Sequence, residues 1–341
     1  MPVRKVFRLL VWSASALALL VVVFGAFVRL SDAGLGCPDW PGCYGHVAVP
    51  QSETATMRAL ERFPGSVIET RKAWIEMIHR YLAGTLGILV ASIAVLAWRF
   101  RVALRQSPWL PTALVLLICL QAAFGMWTVT MLLMPAIVTG HLIGGMTTLA
   151  LLAWLAARQR AVTAPEERSA SAAAASGPVA GRWAVAALIV LACQICLGGW
   201  VSTNYAGMAC PDLPLCQGSA MPSMDVDHGF SLGRRLGETS DGSPLPAEAL
   251  TAIHWAHRIW AIVTVTVLLI AGVMACAVPW LRGAGLAVVL LALTQAALGI
   301  ANVAYVLPLP LAVAHNAGAA MLLVMVVVLN FKVVSALRRE M

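Results

Sequence analysis

Eight runs of about 20 predominantly apolar residues, the length at which an α-helix crosses the hydrocarbon of a bilayer, constrain this chain more than any other feature. They fall near residues 8–30, 81–98, 110–132, 136–157, 183–203, 255–276, 281–304 and 311–330. Lipid offers no partner to an open strand edge, and the runs are too long and continuous for barrel strands. The expected fold class is therefore all-α integral membrane, with eight transmembrane helices. A composition that is 60% hydrophobic and 11% charged, with a mean hydropathy of +0.85, excludes an ordinary soluble domain.

An even number of spans puts both chain ends on one side. Arg4, Lys5 and Arg8 precede the first run, and Lys332, Arg338 and Arg339 follow the last. Arg99, Arg101, Arg105, Arg158, Arg160, Arg168, Arg182 and Arg282 fall on that same side, against only Glu166, Glu167 and Glu340. The positive-inside rule predicts both termini in the cytoplasm. The net charge of +8 is then a topology signal, and nucleic-acid binding is a poor reading of it. The first run is longer than a typical signal core and lacks a convincing small-residue cleavage site, so it is expected to be retained.

The chain repeats itself. FGAFVRLSDAGLGCPDWPGC, from Phe24, lies over LGGWVSTNYAGMACPDLPLC, which begins 173 residues later at Leu197. IHR at Ile78 matches AHR at Ala256. QAAFG, with His141 placed 20 residues after Gln121, matches QAALG with His315 at the same distance from Gln295. The eight spans thus divide into two duplicated four-helix bundles in parallel orientation, over 1–160 and 183–341. The segment 161–182, rich in Ala, Ser, Gly and Pro, reads as a cytoplasmic linker.

Four of the seven histidines, His79, His141, His257 and His315, hold corresponding positions at the outer ends of even-numbered spans. Ionisable groups within spans are rare and usually functional, and occurrence in duplicated pairs weighs against satisfied core residues. Zinc prefers four donors with Cys or carboxylate help, whereas each half offers two imidazoles. Haem fits better, because the porphyrin supplies four equatorial nitrogens and its apolar ring fills a bundle core. Arg80 and Arg258, each directly after a ligand candidate, are placed to meet propionates, with interfacial anchoring as the plainer role. His254 is an alternative ligand to His257, while His46 and His228 fall in outer loops and read as solvated.

CPDWPGC sets Cys37 and Cys43 six apart, and CPDLPLC does the same for Cys210 and Cys216. The intervening Pro and Asp favour a turn that can bring the thiols together. In an oxidising compartment these read as two disulfides, with a thiol-disulfide relay as the functional alternative. Cys119, Cys193, Cys196 and Cys276 lie in or at the ends of spans and read as small packing residues.

A duplicated four-helix bundle with EMIHR, a histidine in the second and fourth span of each half, and outer CPDxPxC loops resembles the haem A synthase family over nearly the whole chain. The resemblance implies an oxidoreductase that converts haem O to haem A for cytochrome oxidase assembly, in a bacterial cytoplasmic membrane. It implies haem O as substrate at His79 and His141, and a haem b at His257 and His315. Expected partners are haem O synthase, cytochrome oxidase assembly proteins and an electron acceptor that the sequence does not identify.

The two halves differ where IEMIHR meets IHWAHR. Glu76 stands one helical turn before His79, on the same face, whereas the aligned position holds His254. In the chemistry that the resemblance implies, a ring methyl becomes a formyl group by two oxidations and loss of water. Glu76 is the candidate catalytic group, able to accept protons, orient water or stabilise developing positive charge. Two other classes stay open on sequence alone: a di-haem b-type cytochrome that only moves electrons, and a thiol-disulfide oxidoreductase or haem-binding assembly factor centred on the cysteine loops.

Overall fold

The computed structural model describes residues 2–163 and 177–337. The described residues are all-helical, with eight helices long and apolar enough to cross a membrane. We number these α1 (Pro2–Leu30), α2 (Thr70–Arg99), α3 (Trp109–Thr130), α4 (Pro135–Thr163), α5 (Gly177–Thr203), α6 (Ala247–Cys276), α7 (Arg282–Ala304) and α8 (Leu309–Leu337). Short helices at Glu53–Arg62 and Val226–Gly229 sit in the two long loops.

Two helices start well before their apolar runs. α2 begins at Thr70 and α6 at Ala247, so Glu76, His79 and Arg80 lie inside a helix, not at its mouth. The added turns are stable because one face of each is buried: Ala73, Glu76 and Met77 of α2 under the cysteine loop, and Ala249, Ala252 and Ile253 of α6 against Gly229 and the segment from Trp200 to Ala206. The linker read over 161–182 lies largely outside the described residues. α4 runs to Thr163 and α5 starts at Gly177, while 164–176 lie outside the described residues.

Packing closes two rings. α1 packs on α2, α2 on α3, α3 on α4 and α4 back on α1; α5, α6, α7 and α8 do the same. The rings meet through α1 with α8, α4 with α5, and α4 with α8. Position within this arrangement decides exposure: 56% of the most apolar stretch of α8 is buried, against 11% for α3, which faces outward. The central seam is apolar, with Leu149, Leu152 and Leu155 of α4 and Leu322 and Val326 of α8 buried. Trp154 meets Phe331 edge-on at 5.1 Å, and Asn330 Nδ2 ties α8 to the carbonyl of Ala184 on α5 at 2.8 Å. Such contacts matter in lipid, where helix association rests on close packing and interhelical hydrogen bonds.

Backbone detail recurs along the chain. The turn before α4 passes through Leu132 and Leu133, and that before α8 through Val306 and Leu307, all at positive φ. Asp32 and Tyr205, at the ends of α1 and α5, share this left-handed conformation, which bulky residues rarely adopt. Leu133 then rests on Gly34 and Leu307 on Gly207, each glycine leaving room for the leucine to approach.

Candidate functional site

Each loop is closed by its own disulfide, Cys37 to Cys43 and Cys210 to Cys216. The aspartate of each CPDxPxC motif holds the loop from inside. Asp39 accepts the backbone N–H of Tyr44 at 2.6 Å and of Gly45 at 2.8 Å; Asp212 accepts those of Gln217 at 2.6 Å and Gly218 at 2.8 Å. The N–H groups of Gly218 and Gln217 hold the Asp212 carboxyl below the ordinary aspartate range.

The arginines after the helix histidines grip these loops. Arg80 Nη1 donates to the carbonyls of Asp39, at 2.9 Å, and of Pro41 and Gly42, while its Nη2 pairs with Glu76. Arg258 Nη1 donates to the carbonyls of Asp212 at 2.8 Å and Leu215 at 3.0 Å, and its Nη2 to that of Cys210. Glu76 is 5% exposed and accepts the Cys37 N–H through Oε2 at 2.9 Å. At the aligned place in the other half, His254 Nδ1 accepts the Cys210 N–H at 3.2 Å. His254 is thereby committed to the loop, and His257 is the histidine that faces inward.

Around each ring, histidine and glycine alternate. His79 on α2 lies against Gly25 on α1, and His141 on α4 against Gly125 on α3; His257 on α6 lies against Gly198 on α5, and His315 on α8 against Gly299 on α7. A methyl group on Gly25, Gly198 or Gly299 would approach the imidazole Cε1 to 3.0, 3.1 and 3.3 Å, tighter than ordinary contact. The paired histidines come from opposite helices of a ring and so face one another across its interior. His79 and His141 line one cavity of about 650 Å³, within the usual size for a cofactor site, together with Glu76, Gln121 and the glycine-lined walls.

The donor set discriminates between metal sites. Among the described residues there is no group of three or more His, Cys, Asp or Glu able to hold an ion, which disfavours zinc. The Nδ1 atoms of His79, His141 and His315 are buried without a hydrogen-bond partner among the described residues, so no protein acceptor fixes the tautomer of these three rings. Two facing imidazoles in an apolar, glycine-walled bundle fit a haem.

The family model described as COX15-CtaA, cytochrome oxidase assembly protein, matches residues 8–327. The chain belongs to that family. It is 44% identical to the heme A synthase of Shewanella oneidensis over 315 residues, 92% of each chain. The heme A synthase of Caulobacter vibrioides is 30% identical over 332 residues, covering 91% of this chain and 90% of its own. That of Halalkalibacterium halodurans is 27% identical over 243 residues, covering 70% of this chain and 72% of its own.

In this COX15-CtaA member the remaining sequence candidates fall outside the two ring interiors. His228 is exposed and bonds Asp225 through Nδ1 at 2.7 Å, and His46 pairs its backbone with Cys43 beside the disulfide. Cys193 and Cys196 are both free. Several contributors carry no sequence label. The four glycines stand within the repeated motifs, yet only the packing shows what they face. Gln295 donates to the His315 carbonyl at 2.9 Å, and the amide of Gln194, aligned with Val21, lies against the His257 ring. Arg234, fully buried in the second long loop, donates to Asn204 and to the His228 carbonyl and lies over Trp200.

Proposed function

We propose that this protein is a haem A synthase, a multi-pass oxidoreductase of the bacterial membrane that acts on haem O and supplies haem A for cytochrome oxidase assembly. The observation that carries the reading is the pair of helix rings, each aiming two histidines from opposite helices at one interior, in a chain of this family. The duplicated halves divide the work. The ring holding His79 and His141 takes haem O, and the ring holding His257 and His315 keeps a haem b, which supplies a one-electron redox centre when bound. The division is supported by the single buried carboxylate at the substrate cavity, since Glu76 has no acidic counterpart in the other half.

The reaction class sets what that carboxylate has to do. Turning a ring methyl into a formyl group with water as oxygen source releases four electrons and four protons, so an electron acceptor is required. A carboxylate offers about four lone-pair positions; Arg80 and the Cys37 N–H engage one on each oxygen of Glu76. The others are available to orient water or take a proton at the cavity. Arg80 and Arg258 serve the sites through the loops they hold. Both termini are assigned to the cytoplasm by the basic residues of the connecting segments, which places the disulfide loops on the oxidising side.

Haem extracted from cells that supply haem O, with and without this protein, tests the reading. Haem A should form only with the protein. Recovery of haem b alone, with haem O unconsumed, would overturn it in favour of an electron-carrying cytochrome.

A further inference from the structure

We propose that Arg29 is the residue that recognises a carboxylate of the substrate tetrapyrrole. The inference rests on the assignment of haem O to the His79 and His141 cavity and goes beyond it, because it names the group that reads the propionates there.

Two guanidinium groups line that cavity, Arg29 at the end of α1 and Arg80 on α2. They are differently employed. Arg80 donates to three loop carbonyls and to Glu76, which takes up both of its terminal nitrogens. Arg29 donates from Nη2 to the carbonyl of Ser202 on α5 at 2.6 Å and also interacts with the Tyr205 hydroxyl. Its central carbon also lies over the Tyr205 ring, 3.9 Å from the centroid, a cation–π contact that restrains the side chain. An arginine carries five N–H groups, so most of those on Arg29 remain without a hydrogen-bond acceptor among the described residues.

The one acid beside it does not take them. Asp32 lies 3.8 Å from Nη1, beyond hydrogen-bond reach, is 62% exposed, and accepts the Tyr205 hydroxyl at 2.8 Å. The Arg29 side chain itself is only 13% exposed. A guanidinium restrained by a carbonyl and a ring, mostly out of water and with spare donors, is suited to take a carboxylate through two parallel bonds. It stands at the end of the ring that carries the disulfide loop, with the apolar cavity beneath it.

The second ring lacks this group. Ser202 occupies the position aligned with Arg29, and its backbone carbonyl is the atom that Arg29 grips. One half therefore provides the receptor and the other half its anchor, and the asymmetry falls on the side assigned to a substrate that must be picked out and released.

The test uses the full-length protein, made under haem limitation and titrated with iron protoporphyrin IX and with its dimethyl ester. A His141→Ala variant identifies the first-half site. At that site Arg29→Gln should weaken the diacid about tenfold or more and leave the ester unchanged, as loss of a charge-assisted bidentate contact requires. Arg29→Lys should keep part of the preference for the diacid. Unchanged diacid affinity, or equal weakening of acid and ester, would overturn the proposal; the second result would make Arg29 a tether between the halves only. Should Arg29→Gln fail to fold, Arg29→Lys decides, since a full wild-type preference in it would equally exclude a planar receptor. If His141→Ala removes no binding site, the assignment of haem to the first half fails, independently of Arg29.

Discussion

The carboxylate of Glu76 accepts the backbone N–H of Cys37 at 2.9 Å, so the residue best placed for chemistry also caps the first half's disulfide loop. The two duties separate by substitution. Glu76→Gln keeps an oxygen for the Cys37 N–H but cannot take a proton. It should preserve haem content, at some cost in thermal stability because its amide nitrogen then faces the Arg80 guanidinium, while lowering the haem A to haem O ratio about a hundredfold or more. Glu76→Ala orphans a buried N–H, which costs about 1–3 kcal/mol, and should lower both stability and product. Normal haem A formation in the Gln variant would remove Glu76 from the chemistry.

His254 makes the matching contact to Cys210, at 3.2 Å, in the half that has no carboxylate. His254→Ala should therefore loosen the second loop without altering the haem binding proposed for His257 and His315. The expected result is faster reduction of the Cys210–Cys216 disulfide by a small thiol, with the low-spin spectrum retained. Loss of the spectrum in His254→Ala, and its survival in His257→Ala, would reverse the ligand assignment.

Most of the architecture was legible because lipid imposes it: eight apolar runs give eight helices, and the four histidines stand out against them. The cysteine spacing and the repeated Asp located both loops. What was hidden depends on atoms without a sequence signature. Arg80 and Arg258 read as cations for propionates, and nothing in the sequence signalled that backbone carbonyls, which every residue has, would also engage their terminal nitrogens. The start of α2 at Thr70 was masked because TRKAWIEMI is polar where it meets water and buried only where the loop covers it. Arg29 was invisible for the opposite reason, since its contact to Ser202 lies 173 residues away.

The glycines opposite the histidines yield a graded expectation. A methyl group on Gly25 would come within 3.0 Å of His79 Cε1, whereas one on Gly125 would sit 3.6 Å from His141 Cε1, an ordinary contact. Gly25→Ala should displace the imidazole and lower haem occupancy of the first half, while Gly125→Ala should bind nearly as the parent does. Haem per polypeptide, measured in the two variants side by side, checks the order. Equal occupancy in both would show that the His79 ring has room to move and that the glycine is not needed for its approach.

Asp212 is held below the ordinary aspartate value of 3.8 by the N–H groups of Gly218 and Gln217. Because its folded pKa is depressed, its ionised form stabilises the loop fully above the unfolded value, and that contribution is lost as pH falls through the folded one. Asp212→Asn still offers one oxygen but no charge. The wild type should therefore melt above Asp212→Asn at neutral pH, and the gap should close as pH falls below about 4. Comparing the two proteins at each pH cancels the titration of every other acid, Asp39 in the first loop included. A gap that stays constant into acid would mean that the shape of the side chain, and not its charge, holds the Cys210–Cys216 loop.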